Sequence, residues 1–306
     1  MKIKSIKSTM DKALTPKRVA RAIGVSEATL KRWCDRGLFP MTRTPGGHRR
    51  LEVQGVMEFL RKTEHPLPRP ELLGLPSAVG KGRPTIERAS EAIRSALEQG
   101  DEEQTARIVL DLYLAGRSAA EILDVALAPA FHEIGCRWEK GDLAVYRERR
   151  SCEIALRVLG RVRALLPPIP EGAPRAFGGT LEGDPYSLAT AMVEIALREA
   201  GWRADSFGVG IPTSTWIEAI DGERPRLFWL SISSVASEAD FIAACADLYR
   251  AASERGTAFV LGGRGLGEGL RRRIQYSVFC DDLAHLVAFT RMLRSIGEPS
   301  PGGAVG

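Results

Sequence analysis

The chain has 306 residues, 44% hydrophobic content and a formal net charge of +5, which exclude a wholly disordered protein and leave room for roughly two or three hydrophobic cores. The first residues lack the apolar segment of a signal peptide, and no apolar run reaches the length of a membrane helix, so we expect a cytoplasmic protein that does not enter membranes. The five cysteines include no Cys-X-X-Cys pair, which argues against a zinc site or a disulfide framework.

Two short helices joined by a tight turn are predicted near the N-terminus. Thr15 can cap the first helix, with Pro16 at its first position, and Ser26 can cap the second. Gly24 suits the turn between them, and Gly37 suits the end of the second helix. We expect the apolar residues of the pair to share a small core, made of Val19, Ala20, Ile23, Val25, Leu30 and Trp33.

A basic loop with the sequence RTPGGHRR follows the second helix at residues 43–50. Its glycine pair permits a sharp reversal, which would place the last three residues of the loop near a phosphate backbone or a minor groove. The second helix carries polar side chains that suit a major groove and its phosphates. The predicted DNA contacts are Thr15, Lys17, Arg18, Ser26, Glu27, Thr29, Lys31, Arg32, Arg36, Arg43, Thr44, Gly46, Gly47, His48, Arg49 and Arg50.

The charge of the chain is concentrated in the same region. Residues 1–65 carry 15 Lys and Arg against 6 Asp and Glu, a net charge of +9. Residues 66–306 carry 28 Lys and Arg against 32 Asp and Glu, a net charge of −4. Such an excess on one segment is typical of phosphate binding, and the affinity for DNA should then fall steeply with salt.

The segment from Leu14 to Lys62 resembles the winged-helix DNA-binding domain of MerR-type regulators, including its short version in excisionases. One departure is Leu51, where many members carry an aromatic residue that packs the wing. The resemblance implies double-stranded operator DNA with paired half-sites as the partner, and a homo-oligomer of two or more subunits. RNA polymerase or a protein antagonist are the further partners that it suggests.

Two proline-rich breaks divide the chain. The first, residues 64–84, contains five prolines, and we interpret it as a linker that lets the head move. The second lies at Pro167 and Pro168, and the last residues are expected to fray. The predicted domains are a DNA-binding head at 1–63, a helical domain at 85–167, an alternating domain at 173–296 and a tail at 297–306.

The fold class expected from these segments is multidomain, α and α/β. Apolar residues at three- and four-residue spacing predict a four-helix bundle, with helices beginning near Ile86, Glu103, Ala119 and Leu143. Five short strands then alternate with helices, which predicts a flavodoxin-like, doubly wound parallel sheet. Ligands of such sheets bind beyond the carboxyl ends of the strands, so the candidate loops are residues 183–189, 231–234 and 262–265.

The bundle and the sheet together resemble the cobalamin-binding module of methionine synthase and of the light-sensing CarH/LitR regulators, which also carry a MerR-type head. Those proteins hold the corrin between bundle and sheet and insert its dimethylbenzimidazole tail beside the sheet. By position, the resemblance assigns cofactor contacts to Trp138, Glu148, Asp184, Tyr186, Ser231, Ser233, Gly262 and Gly263.

The chain departs from this family at the cobalt ligand. The family's Asp-x-His-x-x-Gly loop stands here with Tyr186 in place of the ligating histidine and Ala189 in place of the close-packing glycine, and its Glu-His pair stands as Glu148 and Arg149. Tyrosine, with a pKa of about 10, is a poor ligand for alkylcobalt, and the methyl group of Ala189 narrows the slot for the tail. We therefore expect that His-on cobalamin binding is lost, that the chain binds no metal, and that the module acts in oligomerisation, partner binding or sensing of another ligand.

Three interpretations of function remain open. A DNA-binding transcription regulator explains head, linker and module together, and we favour it. The first alternative is an intact cobalamin- or haem-dependent sensor of light or redox state, with Tyr186 a better candidate haem ligand than His132. The second is a corrinoid-binding enzyme component, which needs the missing histidine. No catalytic motif predicts an enzyme, and the identity of any cofactor stays undetermined.

Overall fold

A computed structural model of the protein describes residues 13–80 and 85–295. The chain divides into two compact units, residues 1–168 and 169–306. Within the described ranges, no helix is both long and apolar enough to cross a membrane. Three stretches lie outside the described residues, among them the end of the predicted linker and the predicted tail: residues 1–12, 81–84 and 296–306.

The head has the predicted order of helix, turn, helix and wing. Its first helix begins after Thr15, whose Oγ1 accepts a hydrogen bond from the backbone N–H of Arg18 at 3.3 Å. The second begins after Ser26, whose Oγ accepts one from the N–H of Thr29 at 3.0 Å, and Gly24 ends the first in the left-handed conformation, with φ 76°. The elements are α1 (Pro16–Ile23), α2 (Glu27–Asp35), β1 (Met41–Arg43), β2 (Arg49–Leu51) and α3 (Val53–Thr63).

The core of the head is close to the predicted one. Trp33 is half-buried and packs at the edge of the core against the rings of Phe39 and Phe59. Leu51 is fully buried and forms an isolated backbone bridge with Leu14, so a leucine fills the place where many MerR-type heads have an aromatic residue. Of the other predicted core residues, Val25 is half-buried, and four are buried: Val19, Ala20, Ile23 and Leu30.

Residues 65–80 differ from the free linker expected from the sequence. They contain a 3₁₀ helix, Pro70–Leu73, which packs against α1, and the N–H of Arg69 donates to the carbonyl of Ala22 at 3.1 Å. The apolar residues between the prolines supply this contact. The sequence predicts a linker because the segment is rich in proline and glycine, and that criterion takes no account of its apolar residues. Four of them are buried: Leu67, Leu73, Leu75 and Val79.

The described residues from 85 to 165 form a four-helix bundle. Its third helix widens into a π turn at Leu123–Leu127, just before Pro129. Proline has no N–H to donate to the carbonyl four residues earlier, and its ring crowds that carbonyl, which accounts for the wider turn. The elements are α4 (Ile86–Gln99), α5 (Glu102–Leu114), α6 (Ala119–Ile122), the π turn, α7 (Ala128–Glu139) and α8 (Val145–Leu165).

The head rests on the bundle within the first unit, where α3 packs against α5 and α8. The guanidinium of Arg61 lies 3.7 Å from the centre of the Tyr113 ring and donates to the carbonyl of Arg117 at 3.1 Å. The N–H of Gly80 donates to Oδ1 of Asp111 at 2.7 Å, and burial raises the pKa of the Asp111 carboxyl. These contacts hold the head against the bundle, contrary to the independent motion expected from a proline-rich linker.

The second unit is a doubly wound α/β domain. Its elements are β3 (Arg175–Gly179), α9 (Ser187–Glu199), β4 (Arg203–Ser206), α10 (Thr213–Glu223), β5 (Leu227–Ser231), α11 (Glu238–Glu254), β6 (Ala258–Gly262), α12 (Glu268–Arg271), β7 (Val278–Cys280) and α13 (Leu283–Ser295). All the strands described here run parallel in the order β4-β3-β5-β6-β7, the flavodoxin-like order that the sequence predicts. The strand order reverses between β3 and β5, where folds of this kind bind ligands.

Candidate nucleic-acid interface and ligand site

The predicted DNA-facing surface of the head is largely open to solvent, and the bundle leaves it uncovered. The exposed members of the predicted set are Thr15, Lys17, Arg18, Ser26, Lys31, Arg32, Arg36, Arg43, Gly46, Gly47 and His48. The half-buried members are Glu27, Thr29, Thr44, Arg49 and Arg50. Helix α2 and the wing therefore offer exposed cationic and short polar groups, of the kinds that contact a major groove and its flanking phosphates.

The tip of the wing is a tight, hydrogen-bonded turn. The N–H of Gly47 donates to the carbonyl of Thr44 at 2.8 Å, and the N–H of His48 donates to Oγ1 of Thr44 at 3.2 Å. Gly47 has φ 77°, in the left-handed region that favours glycine. The turn thus fixes the side chain of His48 at an exposed position beside the two strands.

Arg49, predicted to contact DNA, is engaged within the head. Its guanidinium lies 2.5 Å from Oδ1 of Asp35 at the end of α2, and its side chain is only 23% exposed. In the wing, Arg49 is paired across the strands with Arg43, whose side chain is open to solvent. The ion pair therefore connects the wing to the recognition helix, and we expect Arg49 to position the wing.

Two other predicted DNA contacts also have partners in the protein. Arg18 donates from Nε to the carbonyl of Leu72 at 2.5 Å, so it anchors the 3₁₀ helix on α1. Lys31 forms an exposed ion pair with Glu27 one turn earlier, at 2.9 Å. An exposed pair of this kind contributes little to stability, so Lys31 remains available to a phosphate.

The positioning role of Arg49 can be tested with Asp35→Asn and Arg49→Gln. Each should lower DNA affinity by a similar factor of about two to five, the double variant should be no weaker than either, and the slope of log affinity against log salt should not change. Titrations at four salt concentrations measure all three quantities, with Glu52→Gln as the control for loss of one carboxylate. A slope reduced by about 0.9 in Arg49→Gln alone would instead identify a direct phosphate contact.

In the bundle, the two candidate cofactor contacts have different surroundings. Trp138, near the end of α7, is 36% exposed, whereas Glu148, in the first turn of α8, is almost buried. The thiol of Cys152 donates to Oε1 of Glu148 at 3.3 Å, and Nε of Arg149 lies 3.5 Å from Oε2. Burial, followed by the Glu148 charge, raises the pKa of the Cys152 thiol to about 12, so this thiol stays protonated at neutral pH.

His132 lies on an exposed face of α7, with Cys136 one turn later. The Sγ of Cys136 is 3.6 Å from Nδ1 of His132, close enough for a weak hydrogen bond. Among the residues that the structure describes, no group of three or more His, Cys, Asp and Glu side chains could hold a metal ion.

The three candidate loops of the second unit meet at the carboxyl edge of its sheet. Asp184, after β3, is buried, and its Oδ2 accepts from the N–H groups of Ser233 and Ser234 at 2.6 and 3.2 Å. Its Oδ1 accepts from the N–H of Tyr186 at 3.1 Å. The carboxylate thus holds the loop after β3 to the loop after β5.

Tyr186 precedes the first residue of α9, and its side chain is half-buried. Thr180, at the end of β3, supports the same loop, because its Oγ1 donates to the carbonyl of Asp184 at 2.6 Å and accepts from the N–H of Gly210 at 2.9 Å. The loop is therefore ordered by its own hydrogen bonds. Neither Asp184 nor Thr180 requires a bound ligand to satisfy the polar atoms just described.

The glycine pair after β6 lies against the loop after β5. Gly263 has φ 117°, and a Cβ added to it would lie 2.2 Å from the carbonyl oxygen of Ile232. The carbonyl of Gly262 accepts from the N–H of Ile232 at 2.8 Å, and the N–H of Gly265 donates to the carbonyl of Ile232 at 2.9 Å. Close contact between two backbones therefore accounts for Gly263 without a ligand.

Sequence reasoning missed Trp229, a residue of β5 with 2% of its surface exposed. Its Nε1 donates to Oγ1 of Thr190 on α9 at 3.0 Å. A large aromatic residue inside a strand signals a core position, but the pattern does not reveal which side of the sheet it fills. That information comes from the contact with Thr190, which is 39 residues away in the chain.

Two models of known domains match the chain, and both agree with the observed geometry. A helix-turn-helix domain matches residues 13–64, and a B12 binding domain matches residues 89–163. The chain is 26% identical over 90% of its length to the HTH-type transcriptional repressor CarA of Myxococcus xanthus, of which it covers 96%. It is also 28% identical over 72% of its length to the repressor CarH of the same organism, of which it covers 79%.

A solved structure supports the fold of the chain. The Methanosarcina barkeri monomethylamine corrinoid protein matches 68% of this chain and 100% of its own length, with a TM-score of 0.55 and 16% identity. At this identity the likeness concerns the fold alone. The predicted combination of a helix-turn-helix head with a cobalamin-binding-like module is thereby confirmed.

The sheet unit has no histidine at the position where the resembled family ligates cobalt from below. Position 186 offers a phenol in place of an imidazole, and the carboxylate of Asp184 accepts three backbone hydrogen bonds. Trp138 and Glu148 belong to the first unit, and the other six predicted cofactor contacts belong to the second. Within the second unit, the geometry joins Asp184 to Ser233 and places Gly263 against the loop that follows Ser231.

Proposed function

We propose that the protein is a transcription regulator that binds double-stranded DNA through its winged-helix head. The observation that carries this proposal is the exposed set of basic residues on α2 and the wing, arranged on a stable helix-turn-helix. The similarity to two transcriptional repressors over most of the chain supports it. A role on DNA agrees with the expected cytoplasmic location.

We further propose that the protein binds DNA as a homo-oligomer on paired half-sites, with the body supplying the contacts between subunits. A single small head offers few contacts to DNA, and a symmetric assembly doubles them. RNA polymerase or a protein antagonist are the partners through which such a regulator would act.

The module is proposed to act without His-on cobalamin, in oligomerisation, partner binding or sensing of another ligand. Tyr186, Ala189 and the self-sufficient hydrogen bonds of Asp184 support this proposal. The alternative of an intact cobalamin or haem sensor is favoured by the B12 binding domain match to residues 89–163. The alternative of a corrinoid enzyme component is weaker, since the relatives matched over most of the chain are repressors, and we propose that the protein is not an enzyme.

Selection from a pool of random DNA duplexes tests the proposed function with the full-length protein. We expect recovery of a motif with two inverted half-sites whose centres are about 10 bp, or a multiple of that, apart. Sedimentation of the free and DNA-bound protein should then give an even number of subunits. Failure to retain any duplex at low salt contradicts the proposal of a DNA-binding regulator, and a monomer that protects one half-site contradicts the symmetric assembly.

Spectra of the purified protein test the proposal that the module acts without His-on cobalamin. After incubation with cobalamin or with haem and removal of the free cofactor, the protein should show only its own absorbance. The contrary outcome is that the protein retains cobalamin. If light then releases the cobalamin from the protein, or the protein from DNA, the module is a functional photosensor.

A further inference from the structure

Trp229 lies on the side of the sheet that faces α9. Along β5, Phe228, Leu230 and Ile232 belong to a core cluster that also contains residues of α10 and α11. Side chains alternate along a strand, so Trp229 and Ser231 point to the opposite side of the sheet. The hydrogen bond from Trp229 Nε1 to Thr190 of α9 agrees with this alternation.

The indole of Trp229 packs closely against β3. A Cβ added to Gly178 would lie 2.1 Å from the carbonyl oxygen of Trp229 and 2.4 Å from Cδ2 of its ring. Real Cβ atoms do not approach other heavy atoms so closely, so only glycine at position 178 leaves room for the indole. The ring is therefore enclosed by β3, β5 and α9.

The polar atom of this indole is satisfied inside the protein. Nε1 donates to Oγ1 of Thr190, which is itself buried and lies 3.0 Å from Oγ of Ser206. The other two buried tryptophans of this unit, Trp202 and Trp216, have no hydrogen-bond partner for Nε1. Trp229 thus differs from Trp202 and Trp216 in that its Nε1 has a hydrogen-bond partner, so burying this polar atom costs little desolvation free energy.

Trp229 also lies beside residues that the sequence resemblance assigns to the cofactor site. Thr190 follows Ala189, the residue that replaces the close-packing glycine of the slot, and Ser231, the assigned tail contact, lies two residues beyond Trp229 on the same face of β5. Indole and dimethylbenzimidazole are both flat, fused heterocycles. The indole of Trp229 is therefore a group of the same shape as the tail, and it already lies between β3, β5 and α9.

We infer that Trp229 is a built-in occupant of the tail slot, which closes the sheet unit to corrinoids that carry a nucleotide tail. The inference rests on the proposed loss of His-on cobalamin binding, and it names the residue that enforces this loss. Supplying the missing histidine and glycine is then not sufficient to restore binding, because the indole still fills the slot.

The test compares Tyr186→His/Ala189→Gly with the triple variant that also carries Trp229→Ala. Cobalamin and cobinamide, which lacks the nucleotide tail, serve as probes in equilibrium dialysis and absorbance spectroscopy. Removing Trp229 should raise cobalamin affinity on the order of tenfold to a hundredfold, since the dimethylbenzimidazole ring of the tail can then be buried in apolar contact. The bound cobalamin should give the spectrum of histidine-ligated cobalt. Cobinamide affinity should be the same in both variants.

Trp202→Ala in the same background is the matched control, because it removes another buried tryptophan of the unit and should leave cobalamin affinity unchanged. Equal cobalamin binding by the double and triple variants, both with histidine-ligated cobalt, overturns the role of Trp229. Tight cobalamin binding by the unmodified protein overturns the proposed loss itself, so the two failures are distinguishable.

A second measurement guards against loss of folding. Trp229→Ala alone should have a lowered Tm that free 5,6-dimethylbenzimidazole raises again, because cavities of this kind bind molecules of matching shape. Trp202→Ala should show no such rise. Absence of any shift in Trp229→Ala, at ligand concentrations that saturate a weak site, counts against the inference.

Discussion

Replacing Gly263 by alanine is expected to destabilise the sheet unit by about 3 kcal/mol or more. Its φ of 117° lies in a region that residues with a Cβ rarely adopt, and the new methyl group would lie 2.2 Å from the carbonyl oxygen of Ile232. Backbone atoms at both ends of this contact cannot move without breaking the hydrogen bonds between Ile232 and the glycine loop. Urea denaturation of the purified, cofactor-free protein measures the effect.

Gly269→Ala is the matched control. Gly269 is exposed in α12, and an added Cβ would meet no heavy atom within 4 Å. Alanine should be neutral or stabilise this short helix by up to about 1 kcal/mol. Similar free energies of unfolding for the two variants would refute the backbone-contact explanation and reopen a ligand-binding role for Gly263.

The head is the part of the protein that local sequence rules predict best. The caps at Thr15 and Ser26, and the turn at Gly24, depend on residues within three or four positions of one another, so their geometry is contained in the local sequence. The wing is predicted for the same reason, since its reversal occurs at the adjacent glycines. The resemblance to known heads adds the function to this geometry.

The roles of individual arginines could not be predicted in the same way. Arg18 and Arg49 raise the positive charge of the head as much as Arg32 or Arg43 do, but the first two have partners at Leu72 and Asp35. Such pairing depends on contacts across the fold, between residues far apart in sequence. A charge count therefore indicates a candidate binding surface, but it cannot tell which of its arginines have partners within the protein, as Arg18 and Arg49 do.

Distance along the chain also explains the errors in the body. Bundle and sheet follow from regular apolar spacing, which is local, and the strand order follows from the resemblance to flavodoxin-like domains. The packing of residues 65–80 on α1, and the filling of the slot by Trp229, depend on long-range contacts that no periodicity encodes. Topology thus predicts where the candidate ligand site lies, whereas the contacts of Trp229 and of residues 65–80 are seen only in the three-dimensional structure.

Removing three exposed guanidinium groups from the head should nearly abolish DNA binding. Arg32→Ala/Arg36→Ala/Arg43→Ala takes one group from the middle of α2, one from its end and one from the wing, and all three are open to solvent. The expected loss of affinity is on the order of a hundredfold to a thousandfold, because each good contact to a base or phosphate contributes about 1 kcal/mol or more. Gel-shift titrations on the selected operator measure it.

The control for net charge is Arg88→Ala/Arg250→Ala/Arg272→Ala, which removes the same three charges from exposed helices of the body. Its affinity should change by less than about threefold at physiological salt, since charges beyond a Debye length from the DNA are screened. The head variant should also have a shallower slope of log affinity against log salt, by about 2 to 3 if all three groups neutralise phosphates. Equal losses in the two triple variants would mean that net charge alone drives binding, and that α2 and the wing do not form the DNA interface.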